Sequence, residues 1–336
     1  MLLMIHRLIR NENAQAIRTF SLCLYVMLFL GFLSFPFFLL YGYHSVAIGT
    51  ASLPLAAIIS GLVMFTWYWF GWLWMKYRKN KPDSISLTFF DGALLALIVS
   101  SLGAWGVSVF QFTSIESPLI SSAMTHFFLA VFTEGWALLA VLGVIWTKIE
   151  IDPNTLPIQK EWLWIPILAG SMLIFPYSLT QSLVTTPMLI SAMTGMALII
   201  MATSLNLWLF IKNGLFTGFI QQTILILIGL KVLMQALALL PFDVWPGEHG
   251  LRVLYLHLLL LGVISVLLID AFNPSKYFLP KIIFAGSVIL VLISLIMISG
   301  YWPTDFTLPD LYFWVMITAL LPVLPVAWIY LKNLKS

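Results

Sequence analysis

Charge is scarce in this chain. Only 9% of its 336 residues are Asp, Glu, Lys or Arg, against roughly a quarter in soluble globular domains. Cysteine is nearly absent. Cys23 stands alone, which excludes an internal disulfide framework and a cysteine-built zinc site. The common catalytic signatures are missing as well. No GxSxG, HExxH, GxGxxG or P-loop pattern occurs, so hydrolase and nucleotide-binding readings have no support and no catalytic residue is assigned. Nor is there a basic patch suited to nucleic acid, because the Lys and Arg residues are accounted for by membrane topology.

What fills the chain is apolar. Hydrophobic and aromatic residues make up 61% of it, and the mean hydropathy is +1.03. This composition predicts an all-α, polytopic membrane bundle whose main partner is the lipid bilayer, with other membrane proteins as further partners. A span needs about 20 mostly apolar residues. That template places ten helices, at 18–41, 52–75, 91–111, 118–147, 162–183, 188–211, 217–240, 250–270, 280–300 and 310–331. The breaks between them carry turn chemistry, such as NKPD, DPNT, KNG and FNPS.

Three regions follow: an amphipathic basic segment over 1–17 along the inner leaflet, one transmembrane domain over 18–331, and a short tail over 332–336. The first apolar run is expected to stay as a membrane helix rather than be removed as a signal peptide.

Basic residues test the count. Starting from a cytoplasmic N-terminus, fourteen of the sixteen Lys and Arg residues fall on the inner side. The outer loops hold Glu116, Asp243, Glu248, Asp305 and Asp310. The two exceptions are Arg252, at the mouth of the eighth span, and Lys231, within the seventh. The bias predicts a multi-pass protein of the cell membrane with both termini cytoplasmic. Arg252 is expected to turn toward headgroups or Glu248.

Ionisable groups at membrane depth are costly and face the bundle interior. Four qualify: His126 and Glu134 on the fourth span, Lys231 on the seventh and His257 on the eighth. At 1.5 Å of rise per residue, His126 lies about 12 Å and His257 about 10 Å below the outer surface. Lys231 lies about 14 Å deep, and Glu134 near the midplane. Thr133 shares the stripe of His126, and Gln235 stacks four residues on from Lys231. These two are the expected secondary polar lining. Glu134 and Lys231 are at a similar depth, which suggests an ion pair or a proton relay. For Asn206, Gln181, Gln221 and Gln222, packing hydrogen bonds are expected. Prolines at 36, 176, 322 and 325 are expected to kink their helices.

Two fragments, THFFLAVFTEGWALLAVLGVIW (Thr125–Trp146) and YLHLLLLGVISVLLI (Tyr255–Ile269), resemble histidine-bearing helices of the haem–copper oxidase superfamily. More narrowly, they look like NnrS-type relatives of its catalytic subunit. That family has twelve helices in three arcs, with ligand histidines four helices apart. The resemblance implies that spans four and eight match its sixth and tenth helices, that His126 is a copper or haem ligand, and that His257 is a haem ligand. Imidazole suits both metals. The chain departs from the family in having only five histidines, fewer than a full oxidase's six metal ligands. It also has FPYSLTQ where an adjacent histidine pair would fall.

Three functions compete: a reduced haem- or copper-binding protein handling a redox metal or small gas; a proton-coupled transporter using Lys231 and Glu134, with substrate between broken helices; and an accessory or assembly protein without catalysis. In the transporter reading, Pro176 and the pair Pro322 and Pro325 mark the fifth and tenth spans as the broken ones.

Overall fold

A computed structural model of the chain describes residues 14–42, 46–48, 51–53, 55–112, 117–149, 151, 155–240, 249–272, 278–299 and 310–334. It is an all-α bundle of ten helical spans in chain order. These are α1 (Ala14–Tyr41), α2 (Leu55–Arg78), α3 (Ile85–Phe112), α4 (Pro118–Trp146), α5 (Glu161–Leu173), α6 (Thr186–Lys212), α7 (Phe219–Ala238), α8 (249–272), α9 (Phe278–Met297) and α10 (311–334). A short antiparallel hairpin, β1 (Val46–Ile48) with β2 (Ala51–Leu53), joins α1 to α2. Most of the 1–17 segment, together with His6, His44 and the loop acids Glu116, Asp243, Glu248 and Asp305, lies outside the described residues.

Among the described residues, nine helices are long and apolar enough to cross a membrane. The exception is α5. Its span was expected over 162–183, but the helix holds only from Glu161 to Leu173. Thirteen residues reach only about 20 Å, short of the hydrocarbon core of about 30 Å. Pro176 explains the stop, since it has no N–H to donate and biases the residue before it away from helix. Two 3-10 turns, Phe175–Ser178 and Gln181–Leu183, complete the segment. Helix α10 is interrupted in the same way. Its halves, Leu311–Leu320 and Val323–Leu334, meet at Leu321 and Pro322.

Cations and acids gather where several helices meet at one end of the bundle. Arg78, at the end of α2, pairs with Asp83 at 3.7 Å and with Asp91 of α3 at 3.0 Å. Lys160, just before α5, also pairs with Asp83. Lys148, just past α4, meets Asp270 of α8 at 2.5 Å, and Lys281 of α9 meets the same carboxylate at 3.5 Å. Helices α2, α4 and α8 therefore end where α3, α5 and α9 begin. This basic end gathers four of the cations that the topology assigns to one side.

Apolar side chains cover the outside. Phe29, Phe32 and Leu39 of α1 are exposed, as are Leu324 and Tyr330 of α10. A lipid-facing surface requires this, because hydrocarbon does not penalise it. Inside, small residues allow close backbone approach, the usual device of membrane helix packing. A Cβ on Gly170 of α5 would lie 2.5 Å from the carbonyl oxygen of Gly195 in α6, and one on Gly195 would lie 2.7 Å from the carbonyl of Gly170. The buried Asn206 of α6 ties three helices together. It accepts from Trp146 Nε1 at 2.8 Å and donates to the carbonyl of Leu163 at 2.9 Å.

Candidate functional site

Helices α4 and α8 each lose α-helical geometry at mid-length. A seven-residue π-helical segment, Val131–Ala137, interrupts α4, and another, Leu258–Ile264, interrupts α8. The two segments touch one another. A π turn widens the helix and changes its rotational phase, and such segments concentrate at functional sites. In α4 the widened turn carries Thr133, Glu134 and Gly135. Gly135 lets α3 and α5 close in, because a Cβ there would meet Ser171 Oγ at 2.8 Å and Ala96 Cβ at 2.9 Å. Glu134 is thereby pressed toward α7 and α8.

Glu134 is the hub of a buried polar cluster. Its Oε2 accepts from Lys231 Nζ at 2.7 Å and from Gln235 Nε2 at 3.2 Å. Its Oε1 accepts from the hydroxyl of Tyr255. Lys231 also donates to Gln235 Oε1 at 2.9 Å, and its ammonium sits 5.5 Å from the centre of the Tyr255 ring. The side chains of Lys231 and Glu134 are 0% and 2% exposed. An ion pair this deep persists only with good geometry and with its remaining donors and acceptors satisfied, and here every partner is a protein side chain.

One face of Glu134 opens on a cavity of about 240 Å³. Its walls come from α4 (His126, Thr133), the 3-10 turn after α5 (Tyr177, Ser178), α6 (Met196) and the first turns of α8 (Arg252, Tyr255). Arg252 reaches across to donate to the carbonyl of Ser178 at 3.2 Å. It lines the cavity rather than turning to headgroups, the orientation expected of it. The break at Pro176 makes this possible by leaving Ser178 at the wall as a turn residue with its carbonyl free of a helix.

The six residues expected at the site divide. Glu134, Lys231 and Gln235 come together. His126 lines the cavity beside them, within electrostatic reach of Arg252. Thr133 also lines it, but its hydroxyl is committed to the carbonyl of Leu129 at 2.7 Å, so it has no donor for a neighbouring imidazole. His257 does not join. It is exposed, and its Nδ1 engages the carbonyl of Val253 at 2.8 Å. The reason is phase: residues two apart are about 200° apart around an α-helix. With Tyr255 facing Glu134, His257 faces away. The chamber expected to be shared by two imidazoles is therefore not assembled, and the residues do not fit a haem held between His126 and His257. Among the described residues, no group of three or more His, Cys, Asp or Glu side chains is arranged to hold a metal ion.

Sequence reasoning missed Tyr255 and Arg252 as site residues. Arg252 carried a signal, as one of the two cations that broke the segregation of charge. The other was Lys231. No family model, no curated protein and no solved structure matches this chain.

Proposed function

We propose that this protein is a proton-coupled carrier of the cell membrane, with its basic end and both termini on the cytoplasmic side, and with Glu134 as the group that takes up and releases the coupling proton. One observation carries the reading. A single carboxylate both faces the cavity and forms the only acidic contact that Lys231 has among the described residues. Protonating Glu134 from the cavity cancels its charge and leaves a buried ammonium without a counter-ion. Breaking a buried pair in this way costs about 3–5 kcal/mol. Proton uptake and rearrangement of the surrounding helices are thus tied together. The elements around the cluster suit rearrangement, since α4 and α8 are π-helical beside it and α5 stops short at the cavity wall. Discontinuous helices at the binding site are a recurrent feature of carriers.

The test uses proteoliposomes loaded with a pH-sensitive dye. Adding small solutes from a panel should drive proton entry in the wild type and not in Glu134→Gln or Lys231→Ala. Proton entry of wild-type size in Glu134→Gln removes this reading.

A redox-metal reading, with haem or copper and the family resemblance behind it, rests on His126 alone, because this imidazole opens into the same cavity. It ranks second, since His257 is turned away. A Soret band or stoichiometric copper that disappears in His126→Ala would promote it.

A further inference from the structure

Among the described residues, the charges on the cavity walls do not balance. The ionisable side chains on its walls are His126, Glu134, Tyr177, Arg252 and Tyr255. The charge of Glu134 is answered by Lys231 at 2.7 Å. The guanidinium of Arg252 remains, and among the described residues it forms no ion pair. Among the described residues its one acceptor is a backbone carbonyl, bonded through Nη1. Its Nε is shielded from solvent and has no acceptor. A charged donor left unsatisfied away from water is costly. A guanidinium so placed on a cavity wall can pair with an anion that enters the cavity.

We propose that the cavity binds a small organic monocarboxylate, whose carboxylate pairs with the Nε–Nη2 edge of Arg252 and whose apolar body lies against Ile174, Met196 and Val253. The charge fits, because one anion answers the Arg252 charge that no described residue pairs. The geometry fits, because an arginine presents its donors as a planar fork matched to a carboxylate, and Nη1 is already fixed to Ser178. The size fits, because a cavity of about 240 Å³ has room for a short-chain acid. The walls fit, because Ile174, Met196 and Val253 offer no polar side-chain atom. Glu134 lies on the same cavity, so a bound carboxylate and a coupling proton meet in one chamber. Symport of the two would be electroneutral. The inference takes its meaning as a substrate site from the carrier reading, but binding itself does not require transport.

The experiment is equilibrium binding to the purified full chain in nanodiscs at fixed pH, with butyrate as the probe, butyramide as its uncharged isostere and nitrate as an inorganic anion. Butyrate should bind saturably and butyramide at least about 10-fold more weakly, the size expected when a charge-assisted pair is lost. Arg252→Gln should abolish butyrate binding. Arg252→Lys, which keeps the charge but not the fork, should weaken it. Unchanged binding in Arg252→Gln, equal binding of butyramide, or a preference for nitrate overturns the assignment. Arg252→Gln protein must remain monodisperse; if it does not, the Arg252→Lys comparison and the butyramide control decide. The two proposals fail separately. Arginine-dependent binding with proton entry indifferent to Glu134→Gln sinks the carrier and keeps the anion site. Glu134-dependent proton entry with no butyrate binding does the reverse.

Discussion

Glu134 and Lys231 stand 97 residues apart in the chain, and their charged atoms are 2.7 Å apart in the fold. Nothing local joins them. Helices α4 and α7 are separated by two complete helices, and the contact exists because the π segment of α4 pushes one carboxylate into the space that α7 borders.

Removing either partner leaves a buried charge uncompensated. Glu134→Gln and Lys231→Met should each destabilise the protein by about 3–5 kcal/mol. The double variant should cost much less than the sum, because neither charge is then stranded. Thermal or denaturant unfolding in a mild detergent measures all three. Additive losses would show that the pair is not coupled.

Tyr255 tests the other oxygen of the same carboxylate. Tyr255→Phe keeps the ring over Lys231 and deletes only the hydroxyl that donates to Glu134. A hydrogen bond to a charged group contributes about 1.5–3 kcal/mol. The variant should fold, lose stability by about that amount, and couple protons less tightly in the dye assay. Wild-type behaviour in both measurements would place the hydroxyl outside the mechanism.

The meeting of α5 with α6 has no room for a side chain. Gly195→Ala should destabilise by about 1–3 kcal/mol, the usual cost of overpacking, and Gly195→Leu should prevent accumulation of folded protein, because the atom in the way is a backbone oxygen. Neighbouring exposed positions such as Ile190 should tolerate the same change. Expression with gel-filtration profiles of the three variants reads this directly.

At the basic end, Asp83 gives a pH signature. The hydrogen bond from Lys160 and the nearby Arg78 hold its carboxyl below the ordinary value of 3.8. A carboxyl lowered by folding adds stability above its unfolded pKa and loses it as pH falls through the folded one. Asp83→Asn should therefore be less stable than wild type at neutral pH, and the gap should close as pH drops below about 3.8. Melting temperatures of the two proteins across that range check the sign, and a gap that widens on acidification would contradict it. The effect is modest, because Asp83 is largely exposed.

His257→Ala should leave proton entry and any bound metal unaffected, since the imidazole is exposed and bonded to its own helix. His126→Ala should alter ligand binding in the cavity it lines. Dye-monitored flux and absorbance spectra of both variants separate the two histidines.

Hydropathy marked the nine long apolar helices found among the described residues, because twenty apolar residues in a row have few other ways to satisfy their backbone in lipid. At the ends of the helices Arg78, Lys148, Lys160 and Lys281 form ion pairs with Asp83, Asp91 and Asp270. Proline chemistry marked the breaks in α5 and α10 at Pro176 and Pro322, whereas Pro36, also expected to kink its helix, lies inside the continuous α1, so a missing N–H alone does not end a helix.

The site was legible only in part. Depth depends on position along a helix, so Glu134 and Lys231 could be matched by counting residues. Facing depends on rotation, and two π segments shifted it where the sequence shows no marker. His257, chosen by depth, points outward because it lies about 200° around the α-helix from Tyr255, two residues earlier, which completes the cluster. Arg252 was placed by the average behaviour of cations near a membrane surface, and only the turn after Pro176 supplied the carbonyl that draws it inward. What the chain determined unaided was which segments enter the bilayer, because that is a property of each segment's own composition. Which side chains meet there was decided by packing, because rotation and approach are set jointly by several helices at once.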